Sequence, residues 1–173
     1  HGFILKDASA FNIQFRDGKP ILIDTLSFTR YEEGQAWDGY QQFCKHFLAP
    51  LALMSYVDVR FNQWFRINID GLPLDMTSRL LPRRTKFRFG LFVNIHAHAK
   101  FQQKYASTSD KPRKKVSKLA LLGMLDSLRV SVKKLEWRPA GTEWGDYYDD
   151  TNYNDSSFAE KKKLVSDYIA KVG

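Results

Sequence analysis

In the segment LKDASAFNIQFRDGKPILIDTLSF, residues 5–28, Asp7 stands five positions before Asn12, and a second aspartate, Asp24, ends an apolar run. Two carboxylates and an amide suit phosphoryl transfer. One carboxylate accepts the proton of an attacking hydroxyl, while the amide and the other carboxylate hold the magnesium that neutralises the phosphates. In that chemistry Asp7 is the candidate base, and Asn12 and Asp24 are the candidate magnesium ligands. The same residue types also cap backbone amides in loops, with Asp24 then an ordinary residue of a strand-end turn. Spacing alone leaves both readings open.

Other reactive side chains carry less. His96 and His98 form an i, i+2 pair on a stretch of helical pattern, which points them to different faces and argues against a shared zinc ion. Cys44 lies among Phe43, Phe47 and Leu48 and reads as a buried thiol. His46, beside the same aromatic stripe, reads as a helix-face residue with a local hydrogen bond. The aromatic arm from Trp137 to Tyr153 comes with Asp146, Asp149, Asp150 and Asp155, which suits either carbohydrate stacking or a strap between domains.

The elements that must position Asp7, Asn12 and Asp24 are short. Ile13 and Phe15 alternate with polar residues, Asp17-Gly18 supplies a tight turn, and Ile21 to Ile23 form a second strand, so a β-hairpin is expected. That hairpin folds the three residues toward one end of a small sheet. From Trp37 the pattern turns helical, with Tyr40, Phe43, Cys44, Phe47, Leu48 and Leu51 on one stripe facing a core. Further helices are expected over 57–67, 74–81 (ended by Pro82), 87–105, 118–135 and 157–171. Residues 106–115, ASTSDKPRKK, are polar and charged and predict a mobile loop.

The chain has 173 residues, 43% of them apolar, enough for one domain with a sizeable core. Its net charge of +8 favours anionic partners: nucleotides, sugar phosphates, nucleic acid or acidic lipid headgroups. The basic clusters RRTKFR, KPRKK and KKK come without a nucleic-acid-binding motif, so binding of an anionic polymer is a third reading, with anionic-substrate steering or domain docking as simple an explanation. A single cysteine allows no internal disulfide and fits a reducing compartment, with the cytoplasm as the default. No apolar run approaches the ~20 residues of a membrane span. The opening HGFILKDASA has neither a methionine nor the pattern of a signal peptide, and it reads as a piece of a longer polypeptide.

The block DASAFN followed by GKPILID resembles the catalytic loop and metal-binding strand of protein-kinase-like phosphotransferases, especially the small-molecule branch that includes aminoglycoside and choline kinases. The resemblance implies an Mg- and ATP-dependent transfer to a sugar or other small hydroxyl compound. Leu5-Lys6-Asp7 replaces the family's His-Arg-Asp or His-Gly-Asp, and Asp24-Thr25-Leu26 replaces Asp-Phe-Gly. The glycine-rich loop and nucleotide-holding lysine have no room in the six residues before Asp7. A second resemblance covers nearly the whole chain. LKDASAFNIQF, ILIDTLSF, YQQFCKHFLAPLAL, IDGLPLD, LLP and TEWGDYYDDTNY, in that order, resemble the region preceding the methyltransferase domain in a bacterial family of S-adenosylmethionine-dependent methyltransferases, some of whose members are labelled nodulation-related. It implies that S-adenosylmethionine is bound by a domain outside this sequence, to which FAEKKKLVSDYIAKV leads.

The expectation is therefore an α+β, mostly helical fold, a kinase-like C-terminal lobe with a small β-hairpin. Residues 1–135 would form the lobe, 136–156 an irregular aromatic and acidic arm, and 157–173 a helix leading toward the methyltransferase domain. The expected function is an accessory or substrate-engaging segment of a bacterial methyltransferase-type protein, itself not catalytic. The adjacent domain of the same protein is its first partner, and a sugar or anionic small molecule its second.

Overall fold

A computed structural model describes residues 2–100, 115–137 and 152–172. The hairpin forms where alternation and turn chemistry place it: β2 (Ile13–Arg16) pairs antiparallel with β3 (Lys19–Leu22), Ile13 opposite Leu22 and Arg16 opposite Lys19. Asp17 and Gly18 both take positive φ, 52° and 71°, the mirror-image turn whose twist matches a two-residue hairpin. A second two-stranded sheet joins β1 (Phe3–Leu5) to β4 (Phe28–Arg30), also antiparallel. It continues past Leu5 through a bond from the Lys6 amide to the Ser27 carbonyl, 2.8 Å. That pairing draws the chain before Asp7 alongside the chain after Asp24.

The first helix, α1 (residues 40–56), holds much of the core. It is α-helical over Tyr40–Phe43, widens to a π-helix over Cys44–Leu48 and returns to α over Ala49–Tyr56. The wider turn moves the apolar stripe. Cys44 and Leu48 are fully buried as the periodicity predicts, but the core positions that follow are Ala49, Ala52 and Leu53, and Leu51 faces outward. A stripe counted at a constant 3.6 residues per turn does not anticipate that step.

Residues 57–67, expected as an α-helix, form a 3₁₀ helix over Val59–Arg66. Asp58 starts it by accepting the Arg60 amide at 2.8 Å. Helix α2 (Leu74–Leu80) ends before Pro82 as expected. A 3₁₀ turn over Arg83–Phe87 leads into α3 (residues 89–100), which contains a second π segment, Phe92–Ala97. Helix α4 (Lys118–Lys133) is capped by Ser117, whose hydroxyl accepts the Ala120 amide at 3.2 Å. Leu72, Leu74, Leu81, Leu91, Ile95, Leu121 and Leu128 close the core around α1.

The chain divides into two units, residues 1–137 and 138–173. The second contains α5 (Asp155–Val172), with Asn154 accepting the Ser157 amide at its start. Of the loop expected at 106–115 all but Lys115 lies outside the described residues, and of the arm expected at 136–156 residues 138–151 do; its last two residues already belong to α5. Among the described residues no helix is long and apolar enough to cross a membrane.

Candidate functional site

The loop from Asp7 to Asn12 is held from two sides. On one side stands α1. Gln42 accepts the Ala8 amide through Oε1 and donates from Nε2 to Asp7 Oδ1, both at 2.7 Å. One turn later His46 Nδ1 accepts the Ala10 amide at 3.3 Å. The histidine expected to bond locally is instead buried and bridges 36 positions of sequence. Gly71, at φ +81°, passes so close behind it that an added Cβ would lie 2.7 Å from His46 Cδ2. The Phe65 ring meets the imidazole edge-on at 5.3 Å.

On the other side stand Ser27 and Asp24. Asn12 Nδ2 donates to Asp7 Oδ2 at 3.3 Å and to Ser27 Oγ at 3.0 Å. Ser27 Oγ in turn donates to Asp24 Oδ2 at 2.7 Å. Asp24 Oδ1 accepts the Leu26 amide at 2.9 Å. A continuous hydrogen-bonded chain thus runs Asp7, Asn12, Ser27, Asp24. The Ser27 hydroxyl, then the Leu26 amide, hold the Asp24 carboxyl below its ordinary range, so it is a carboxylate at neutral pH. Ser27 carried no signal in the sequence; its role comes from the pairing of β1 with β4.

Asp7 and Asn12 open into a cleft of about 450 Å³, also lined by Ser9, Asp38, Gln41, Gln42, Lys45, His46, Ile69 and Asp70. Nine of these ten residues carry hydrogen-bonding side chains. Asp24 is not among the lining residues. Burial, reinforced by Lys45, pushes the His46 pKa down, so the imidazole is neutral at pH 7, with Asp7 and Asp70 opposing the shift. Among the described residues no group of three or more His, Cys, Asp or Glu side chains could hold a metal ion. His96 does not meet a second ligand: it is buried between Ser78 Oγ (2.7 Å) and Thr85 Oγ1 (2.9 Å). Cys44 is fully buried, with its thiol pKa pushed up to about 12 by desolvation.

The donor set of Asn12 and Asp24 accords with magnesium in one respect. Asn12 turns its NH₂ group toward Asp7 and Ser27, leaving Oδ1 as an acceptor, and each Asp24 oxygen accepts one hydrogen bond and keeps a lone pair. Magnesium commonly takes one or two protein oxygens and keeps several waters.

No protein-family model matches this sequence, and no solved structure matches it. Nodulation protein NoeA of Rhizobium meliloti (strain 1021) is 33% identical over 176 residues, an alignment covering 98% of this chain and 37% of that protein. The chain therefore spans little more than a third of the length of the curated relative it matches, and along almost all of its own length it is similar to one region of that nodulation protein.

Proposed function

We propose that this region is a substrate-engaging segment of a methyltransferase-type protein, and that the cleft at Asp7 receives a small compound rich in hydroxyl groups. The observation that carries the reading is the cleft itself, where Asp7 is oriented by Gln42 and Asn12 and faces a lining made almost entirely of hydrogen-bonding groups. Sugars and polyols satisfy such a surface, because each hydroxyl both donates and accepts. Methyl transfer belongs to sequence outside this region, in keeping with the resemblance to the segment that precedes an S-adenosylmethionine-dependent domain. On this reading the mostly helical fold is a kinase-like C-terminal lobe kept as architecture. The test is calorimetric titration of the protein with a neutral hexose and with its 6-phosphate, using Asp7→Asn and Gln42→Leu. Saturable binding that either substitution weakens about tenfold or more, the scale of one lost hydrogen bond to a charged group, supports the reading. Equal binding by wild type and both variants refutes it.

A second reading is favoured by the meeting of Asn12 and Asp24 on the Ser27 hydroxyl. Here the same residues serve Mg- and ATP-dependent phosphotransfer, with Asn12 and Asp24 holding the ion and Asp7 accepting the proton of the attacking hydroxyl. When bound, magnesium would neutralise the nucleotide phosphates. Magnesium-dependent nucleotide binding lost in Asp24→Ala and in Asn12→Ala promotes this reading, and its absence from folded wild type removes it.

A further inference from the structure

The 3₁₀ turn Arg83–Phe87 and the start of α3 form a firmly seated projection. Its single buried residue, Thr85, donates to the Pro82 carbonyl at 2.7 Å and contacts the buried His96 ring at 2.9 Å. Everything around that anchor faces solvent: Arg83, Arg84, Lys86 and Arg88 are exposed, and between them Phe87 and Phe89 are 90% and 76% exposed. Among the described residues none of the four cations makes an ion pair. Arg84 lies over the Tyr56 ring at 5.8 Å, which fixes its direction and leaves its charge uncompensated.

Beside the projection is a pocket of about 360 Å³, where Arg88 and Phe89 meet Tyr56, Lys134 and Leu135. Lys134 adds a fifth exposed cation. The two serines in its wall are committed internally: Ser131 donates to the Ser127 carbonyl at 2.6 Å, and Ser127 Oγ accepts from Asn94 at 3.4 Å. Asp126, also in the wall, is paired with Arg129 at 2.8 Å. The pocket therefore has an apolar side with Leu91, Val130 and Leu135, and cations at its rim.

We propose that this surface docks on an anionic lipid bilayer, with Phe87 and Phe89 entering the interface and the surrounding arginines and lysines on the headgroup phosphates. Cations ringing exposed aromatic side chains are the arrangement that binds a bilayer surface without spanning it. The net charge of +8 acts in the same direction. A single-stranded nucleic acid would also meet cations and stacking rings, but the apolar side of the pocket beside them, with Leu91, Val130 and Leu135, suits an acyl segment, and a bilayer is the occupant that fills it. This docking is independent of what occupies the Asp7 cleft.

Flotation of the protein with vesicles of phosphatidylcholine alone, and of phosphatidylcholine with an equal part of phosphatidylglycerol, tests the proposal. Binding is expected only to the anionic vesicles and falls as salt is raised. Each surface cation strengthens binding about fivefold, so Arg83→Gln with Arg88→Gln lowers the partition constant by roughly 25-fold. Phe87→Ser with Phe89→Ser lowers it about tenfold or more through lost apolar insertion. All four side chains are exposed, so unchanged circular dichroism is expected. Equal binding to both vesicle types, binding unaffected in both double variants, or binding of a single-stranded oligonucleotide in the absence of vesicle binding overturns the proposal.

Discussion

Gly90 of α3 packs directly against Ser131 of α4, and substituting the glycine measures how tightly that contact is packed. A Cβ on Gly90 would lie 1.8 Å from Ser131 Oγ and 3.1 Å from Ser131 Cβ. The first distance requires something to move. Rotating the hydroxyl away breaks its bond to the Ser127 carbonyl, and even then the Cβ contact stays tight. Overpacking of this kind costs about 1–3 kcal/mol. Replacing glycine by alanine in a helix returns up to about 1 kcal/mol. Gly90→Ala should therefore destabilise by about 1–2 kcal/mol, lowering the melting temperature by about 2–8 °C for a chain of this size. Ser131→Ala removes the 1.8 Å contact at the cost of one local hydrogen bond, so the double variant should be more stable than Gly90→Ala alone. Urea unfolding of the four proteins gives the coupling between the sites, expected at about 1–2 kcal/mol and favourable. A Gly90→Ala protein at least as stable as wild type, or a double variant whose loss equals the sum of the single losses, would refute the reasoning. The helices would then be further apart than the structure has them.

Gly71→Ala should lower stability by about 1–2 kcal/mol from its positive φ alone, with a further loss from contact with His46 and Lys45. Thermal unfolding checks the first part, and a shifted His46 imidazole resonance checks the second. Cys44 should be inert to a thiol reagent at pH 8 in the folded protein and react fully in denaturant, since it is buried with a pKa near 12; rapid labelling without denaturant would contradict its place in the core. His96 has its pKa lowered by burial, helped by Lys86 and Lys100, so the unfolded chain binds its proton more readily than the folded one. Its contribution to stability is complete above 6.5 and declines as pH falls from 6.5 toward the folded pKa. An NMR titration should place His96 below 6.5, and a midpoint at or above that value contradicts the buried pairing with Ser78 and Thr85.

What could be read from the sequence was local. Asp17-Gly18 between alternating strands names its own hairpin, because both residues tolerate positive φ. Pro82 names the end of α2 for a similarly short-range reason. The gathering of Asp7 and Asn12 beside Asp24 was also accessible, since a hairpin of known length separates them. The pairing of β1 with β4 was not, because three-residue strands carry no usable period, and with it went Ser27, the hydroxyl that links Asn12 to Asp24. Gln42 was hidden for another reason. A glutamine on a helix face next to an aromatic stripe looks like a solvated residue, and only the tertiary approach of the Ala8 amide reveals its grip on the loop. The 3₁₀ helix at Val59–Arg66 shows that a 3.6-residue pattern over one short segment does not by itself fix the turn type.

The π segment of α1 lies between two duties of one helix. Before it comes Gln42, which holds Asp7; within it comes His46, which holds Ala10; after it come Ala52 and Leu53, which face the core. One extra residue in a turn rotates everything on one side of it by about 100° relative to the other. The helix is in effect two dials on one shaft, and gaining or losing a residue between Cys44 and Leu48 turns the site end while leaving the core end set. Among descendants of this sequence, an insertion or deletion there would give the cleft a different grip on its loop while leaving Leu48, Ala52 and Leu53 in place, at the cost of turning the buried Cys44, which sits on the site end, out of the core.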